Sequence, residues 1–91
     1  MASWYYVYVL RSLKDNEFYT GRTAHLRSRL QQHNRGENTS TAKRLPMKLV
    51  YFEAHHSWVD AARRERYLKS TKGKRTLKQM LRSALGKSVP G

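Results

Sequence analysis

The sequence predicts an α+β domain in which a small antiparallel three-stranded sheet is flanked by helices, in the order ββαβαα. Short runs of aromatic and β-branched residues predict the strands, and apolar residues at helical spacing predict the helices. A chain of 91 residues has room for one modest hydrophobic core. We therefore predict a single domain over residues 1–85 and a flexible C-terminal tail over residues 86–91.

The first two strands form a predicted hairpin over residues 4–20. Aromatic and β-branched residues fill both arms, and a polar run with turn-forming residues lies between them. We expect Gly21 to end the second strand. Because side chains alternate along a strand, Tyr6 and Tyr8 share one face, and Tyr19 lies on the corresponding face of the returning strand. One face of the hairpin is therefore rich in phenol groups.

The middle of the chain predicts a helix, a loop and a strand. Two leucines four residues apart predict an amphipathic helix over about residues 24–35, with Thr23 as its N-cap. Residues 36–46 mix hydroxyl groups, Asn, Gly and Pro, which is typical of a mobile loop. The apolar run over residues 48–54 predicts a third strand that is buried on most sides.

Two further helices follow. Ser57 is the predicted N-cap of the first, which extends to about Ser70, and Gly73 is expected to divide it from the second. Apolar residues between positions 77 and 85 form the buried stripe of the last helix. Both tryptophans are expected to fill the core of so small a domain.

Composition indicates the class of partner. The chain has 19 lysines and arginines against 6 acidic residues, a formal net charge of +13. Such a charge attracts polyanions, above all the phosphate backbone of nucleic acids. The absence of cysteine excludes a disulfide framework and a thiolate zinc site, so a cytoplasmic location is expected. Neither a secretory signal nor an apolar run of about 18 residues is present, so we expect no membrane partner.

Glu65 has two interpretations. Basic residues cluster between Arg63 and Arg82, and Glu65 is their one acidic neighbour. In the simpler interpretation Glu65 pairs with Lys69 one helical turn away on a solvated helix face. In the other, an isolated carboxylate on a phosphate-attracting surface holds a divalent cation against a nucleic-acid phosphate.

The phenol-rich face has two interpretations as well. Tyrosines on a sheet usually pack or stack on bases, and an ordinary phenol has a pKa near 10, too high for a base at neutral pH. A nearby cation would stabilise the phenolate and allow it to act as a general base. Arg29 and His33 are four residues apart, so they rise from one face of the predicted helix and can reach a common point.

Taken together, these residues resemble the GIY-YIG nuclease family, whose two name motifs appear here as YVY and YTG. The resemblance depends on five ordered elements: Tyr6-Val7-Tyr8, Tyr19-Thr20-Gly21, Arg29, His33 and Glu65. It covers about residues 4–82 and is closest to small stand-alone bacterial members related to the nuclease module of the bacterial excinuclease. These members also have a Pro after a hydroxyl-rich loop and a Leu-Val-Tyr strand that ends in Glu, as at residues 40–53 here.

The resemblance implies a metal-dependent endonuclease that hydrolyses phosphodiester bonds of DNA. Tyr8 and Tyr19 would flank the attacking water, and we prefer Tyr8 as the general base. Arg29 would hold the scissile phosphate, His33 would position or relay a proton, and Glu65 would bind a single Mg²⁺ or Mn²⁺. A guanidinium and a metal on two sides of the phosphate would stabilise the charge that develops during hydrolysis.

Other polar and aromatic residues are predicted to contact nucleic acid: Tyr6, Arg22, Arg27, Ser40, Thr41, Lys43, Arg44, Lys69, Lys72 and Lys74. For the two hydroxyl residues, merely keeping the loop soluble is an equal alternative. The chain contains no asparagine beyond Asn38, although many relatives have one after the glutamate helix, and Ser70 or Thr71 would have to replace it.

The substrate and two competing functions remain open at this point. We see no appended DNA-binding domain, so a preference for single-stranded or structured DNA is expected rather than recognition of a long sequence. The alternative function is a non-catalytic basic module that binds nucleic acid with the same fold. A basic helix that lies on anionic lipid is a third interpretation, which the preceding ββα segment disfavours.

Overall fold

The computed structural model of the protein describes residues 4–86 and confirms the α+β order ββαβαα. Its elements are β1 (Tyr5–Ser12), β2 (Phe18–Thr23), α1 (Leu26–Asn34), a short 3₁₀ turn (Ala42–Arg44), β3 (Met47–His55), α2 (Trp58–Lys69) and α3 (Thr71–Met80). Of the predicted tail, residues 87–91 lie outside the described part of the chain.

The three strands form one antiparallel sheet with the order β2-β1-β3. β1 is central, and its residues Val7 to Leu10 are almost completely buried. The predicted burial of β3 on most sides is wrong, because this strand lies at a sheet edge and most of its residues are half-buried or exposed. An apolar run looks the same in sequence whether its strand is central or at an edge.

The two faces of β1 enter different hydrophobic clusters, as the predicted alternation requires. Val7 and Val9 pack with Ala61, Leu68 and Leu77 of α2 and α3. On the opposite face, Tyr8 and Leu10 cluster with Met47, and the leucines of α1 pack against them. Helices α2 and α3 therefore cover one face of the sheet, and α1 covers the other, where the phenol groups lie.

The hairpin and the start of α1 differ in detail from the prediction. β2 continues through Gly21 to Thr23, because Gly21 pairs with Tyr8 in the ladder instead of ending the strand. Thr23 is therefore a strand residue and not the N-cap of α1. Its hydroxyl accepts a hydrogen bond from the backbone amide of His25, and the helix begins at Leu26.

The corner between α2 and α3 lies earlier than predicted. Ser57 caps α2 as expected, but the division falls at Ser70, whose hydroxyl accepts the amide hydrogen of Gly73. Gly73 lies inside α3, where an added Cβ would collide with the backbone of Tyr67. The glycine therefore permits close packing of the two helices. Because Ser70 is committed to capping, it is poorly placed to replace the missing asparagine.

Neither tryptophan fills the core as predicted. Trp4 and Trp58 are each 42% exposed. Trp4 stacks on His56 with ring centroids 4.0 Å apart, and Trp58 contacts the edge of Tyr5. The aliphatic side chains of β1, α2 and α3 fill the core instead. No helix between residues 4 and 86 is long and apolar enough to cross a membrane.

Candidate active site

A cavity of about 340 Å³ opens where β1, β2, α1 and α2 meet. The residues that line it are Tyr8, Tyr19, Gly21, Arg22, Arg29, Trp58 and Glu65. The structure thus brings together four of the five residues that were predicted to be catalytic. His33, the fifth, lies behind Tyr8 in the interior.

The secondary structure explains this convergence. Tyr8 is in the middle of the central strand, directly opposite Gly21, and Tyr19 is two residues before Gly21 on the same face of β2. α1 packs on this face and carries Arg29 into the cavity. α2 covers the other face of the sheet and brings Glu65 around the β2 edge.

A buried row of polar side chains lies behind the cavity. The Tyr8 hydroxyl is 2.9 Å from Nε2 of His33, and Nδ1 of His33 is 2.8 Å from the Thr41 hydroxyl. All three side chains are fully buried. The prediction that Thr41 contacts nucleic acid is therefore wrong, because its hydroxyl is hydrogen-bonded to His33 and inaccessible. Thr41 instead orients the imidazole, a role that its polar loop context did not reveal.

Burial favours the uncharged forms of Tyr8 and His33. Desolvation raises the pKa of Tyr8 well above its usual value, and Tyr19 adds to this effect, whereas Arg29 lowers it. Desolvation and then the charge of Arg29 lower the pKa of His33. Our preference for Tyr8 as the base assumed that nearby cations dominate its pKa. In this structure burial outweighs the cation.

The free energy of unfolding is expected to fall as the pH decreases below about 6.5, the unfolded value for histidine. His33 has a lower pKa when folded, so the unfolded chain takes up a proton first and acid favours unfolding. Its contribution to stability is complete above that pH. Urea unfolding across this range measures the effect, which His33→Gln should weaken. The exposed-site control His25→Gln should retain it, and an unchanged profile in His33→Gln would contradict the assignment.

Glu65 is held between two cations in the cavity wall. Its Oε1 accepts a hydrogen bond from Nη1 of Arg22 at 2.9 Å, and its Oε2 is 2.7 Å from Nζ of Lys69. The predicted pairing with Lys69 is present, but the Glu65 side chain is only 13% exposed, so it does not lie on a solvated helix face. The contact with Arg22 was not predicted, because the two residues are distant in sequence. The guanidinium of Arg22 also lies over the Trp58 ring, 4.7 Å from its centroid.

The cavity offers one carboxylate, which suits a hard cation that takes its other ligands from water and from a bound molecule. Glu65 is the one carboxylate that lines the cavity, and residues 4–86 contain no cluster of three His, Cys, Asp or Glu side chains suited to a metal. Mg²⁺ commonly uses one or two carboxylates, several waters and substrate phosphates. A single carboxylate beside two arginines suits that mode and not a closed zinc site.

The other predicted nucleic-acid contacts lie outside the cavity, apart from Arg22. Lys69 is at its outer rim on Glu65. Arg44 is partly buried and pairs with Asp15 at 3.2 Å. The remaining side chains lie on the surface or half-buried: Tyr6, Arg27, Ser40, Lys43, Lys72 and Lys74. None of these six side chains lines the cavity.

A comparison with known families agrees with this geometry. The sequence profile of the GIY-YIG catalytic domain matches residues 4–78, nearly the whole of the described structure. The chain belongs to the GIY-YIG family. GIY-YIG is a nuclease family, so a nucleic acid is the class of substrate that its fold serves.

Individual relatives cover almost the same length. A UPF0213 protein of Clostridium perfringens is 41% identical over 85 residues, which are 92% of this chain and 86% of that protein. A UPF0213 protein of Staphylococcus haemolyticus is 38% identical over 84% of this chain and 93% of its own. The solution structure of a UPF0213 protein from Bacillus halodurans is similar, with a TM-score of 0.53 and 34% identity, and covers 85% of this chain and 84% of its own.

The glycine of the second GIY-YIG motif has a steric reason here. An added Cβ at Gly21 would lie 2.6 Å from the hydroxyl oxygen of Tyr8 and 2.8 Å from its Cζ. Gly21 therefore leaves the space in which the phenol reaches the cavity. Tyr6 stands where the first motif has glycine and Thr20 where the second has isoleucine, and neither change alters the contact between Gly21 and Tyr8.

Gly21→Ala is expected to destabilise the fold by about 1–3 kcal/mol, because the fully buried Tyr8 ring has little room to move. In a Tyr8→Phe background the penalty should be smaller, since the closest atom is gone. Urea unfolding of the four proteins in this double-mutant cycle gives the coupling. Strictly additive penalties would contradict the proposed collision.

Proposed function

We propose that this protein is an endonuclease that hydrolyses phosphodiester bonds of DNA with the help of a single Mg²⁺ or Mn²⁺. The observation that carries the proposal is the cavity itself, in which Tyr8, Tyr19, Arg29 and Glu65 meet although they lie on four different elements. A carboxylate, a guanidinium and phenol hydroxyls in one cavity are the groups that phosphodiester hydrolysis requires.

Arg29 and Glu65 would serve the phosphate from two sides. The guanidinium of Arg29 presents paired donors to the non-bridging oxygens of the scissile phosphate. The carboxylate of Glu65 would hold the divalent ion. When bound, the ion would stabilise the negative charge that develops on the phosphate. Tyr19 is half-buried in the cavity wall and would hydrogen-bond the attacking water.

Tyr8 and His33 would remove the proton of that water as a pair. With Nδ1–H of His33 donating to Thr41, Nε2 can accept the hydroxyl proton of Tyr8. The Tyr8 hydroxyl is fully buried in the free protein, so a water must first enter the end of the cavity beside it. Tyr8 would then take a proton from this water and give its own proton to His33, and the hydroxide formed would attack phosphorus. The raised pKa of Tyr8 is then no obstacle, because no free phenolate is needed beforehand. The lowered pKa of His33 leaves its imidazole neutral and free to accept, although it also makes the ring a weaker base.

Arg22 and Lys69 would change partners when substrate binds. In the free protein both neutralise Glu65, whose side chain is only 13% exposed. A divalent ion on Glu65 would take over this neutralisation and release both side chains toward the DNA backbone. This exchange explains how residues paired with Glu65 can also contact nucleic acid, as the sequence predicted.

We propose DNA as the substrate, and we propose that the protein prefers strands that are unpaired or distorted. The small domain offers a cavity between sheet and helices, and the exposed residues Arg66 and Lys69 line an adjoining depression that shares Arg22 and Glu65 with it. Backbone contacts of this kind give affinity without reading a long sequence. We also propose a cytoplasmic location, for which the absence of cysteine in the sequence is the support.

A cleavage panel tests the proposal. End-labelled single-stranded, double-stranded and flapped DNA would be incubated with Mg²⁺, Mn²⁺ or EDTA, and the product ends would be mapped. We expect metal-dependent cuts within the strand, with flapped or single-stranded DNA cut fastest. Binding without cleavage at any metal concentration would favour the alternative, a non-catalytic nucleic-acid-binding module with the same fold.

A further inference from the structure

A second cleft lies next to the proposed active site, at the start of α1. It has a volume of about 460 Å³ and is walled on one side by the rings of Tyr6 and Phe52 and on the other by residues 24–28. We call it the aromatic cleft. Phe52 is opposite Tyr8 in the ladder, so its ring is on the phenol face, yet it is 51% exposed. Its edge meets the Tyr6 ring with centroids 6.2 Å apart.

The aromatic cleft is linked to the proposed active site by an intermediate depression that shares lining residues with both. A smaller cleft of about 260 Å³ along α1 shares His25 and Ser28 with the aromatic cleft. The same small cleft shares Arg29 with the active-site cavity. The three depressions therefore lie next to one another in a row along α1, with Phe52 lining the first and Glu65 lining the last.

The chemistry of this row suits one kind of occupant. Two aromatic rings offer stacking surfaces, Arg27 and Arg29 supply positive charge, and Ser28 offers a hydroxyl group. Neither the aromatic cleft nor the smaller cleft is lined by a carboxylate among residues 4–86. Alternating aromatic and basic surfaces are typical of sites for single-stranded nucleic acids, where bases stack and phosphates meet cations.

We propose that the aromatic cleft binds a nucleobase that flanks the scissile phosphate, in a strand that is unpaired at that nucleotide. The base stacks on Phe52 and Tyr6 while the intervening phosphate lies toward Arg29. A paired base has both faces covered by its neighbours and cannot enter, so the cleft selects single-stranded or flapped DNA. This inference rests on the proposed nuclease function and names the part of the substrate that the site recognises.

The test separates binding from cleavage. Short oligothymidylates with one 2-aminopurine, placed at successive positions around the mapped cut, would be bound to the Glu65→Gln variant so that no cleavage occurs. We expect quenching at one flanking position, since stacking on aromatic rings quenches this base. Phe52→Ala in the same background should weaken binding about tenfold and abolish the quenching. Phe52→Trp should restore both.

Val59→Ala is the matched control, because it removes a 63% exposed apolar side chain on α2. It should leave affinity and quenching unchanged. If the wild type binds and cuts DNA but Phe52→Ala shows the same affinity and quenching, the proposal that the aromatic cleft binds a base is wrong. The nuclease proposal would then still stand. Failure of the wild type to bind any DNA would overturn the nuclease proposal as well. Loss of a protein dimer in Phe52→Ala, seen by sedimentation, would assign the cleft to a second copy and overturn this inference.

Discussion

Glu65→Gln is expected to lower the rate of DNA cleavage by about 10³-fold or more while the protein stays folded. The amide keeps the shape of the carboxylate but loses the negative charge that would hold the divalent ion. The neighbouring cations Arg22 and Lys69 also lose their counter-charge, so affinity for DNA should stay equal or increase. Single-turnover cleavage and equilibrium binding, measured on the same labelled flapped DNA, separate the two effects.

Glu37→Gln provides the matched control for that experiment. Glu37 is also paired with an arginine, Arg35, at 2.7 Å, but this pair is exposed on the surface at the end of α1. Its removal should change stability by less than about 1 kcal/mol and leave cleavage intact. Residual metal-dependent cleavage by Glu65→Gln within tenfold of the wild type would exclude Glu65 as the metal ligand.

Arg29→Ala is expected to produce the second largest loss, about 10²–10³-fold in cleavage rate. Arg29 is the cation that α1 contributes to the cavity, and no other residue of that helix lines it. Its charge also acts on Tyr8 and His33. Removing Arg29 should therefore raise the pKa of His33 toward its ordinary value. The acidic limb of the pH–rate profile should then move to higher pH.

The shift of the pH profile distinguishes a catalytic role of Arg29 from a merely structural one. Arg29→Lys keeps the charge but not the paired donor geometry, so it should recover only part of the rate and keep the wild-type acidic limb. Arg35→Ala, which removes an exposed arginine just after α1, is the control and should cleave normally. Full activity of Arg29→Lys would contradict paired recognition of the phosphate.

The periodicity of apolar and aromatic residues was enough to predict most of the fold and much of the site. Alternation along β1 placed Tyr8 on the face opposite Val7, and the four-residue spacing of Arg29 and His33 placed both on the side of α1 that meets it. These relations hold within one element or one hairpin. The resemblance to GIY-YIG nucleases predicted that Glu65 belongs to the same site, and Glu65 does line the cavity with Tyr8 and Arg29.

Contacts between distant segments could not be predicted in the same way. The ion pair of Arg22 with Glu65 joins residues from β2 and α2, and neither position signals the other in sequence. Thr41 lies in a polar loop, whose composition favours exposure. It is nevertheless buried, because the buried imidazole of His33 needs a hydrogen-bond partner and Thr41 provides it. The exposed positions of Phe52 and Trp58 likewise depend on which helices cover the sheet.

The central claim is that Glu65 holds the divalent ion in the cavity shared with Tyr8 and Arg29. Paramagnetic broadening by Mn²⁺ tests it most directly, with thymidine monophosphate as the phosphate ligand. The Trp58 indole lines the cavity, whereas Trp4 stacks on His56. We predict that low Mn²⁺ broadens the Trp58 indole signal before that of Trp4, and that Glu65→Gln abolishes the difference. Equal broadening of both signals, or preserved selectivity in Glu65→Gln, would contradict the claim.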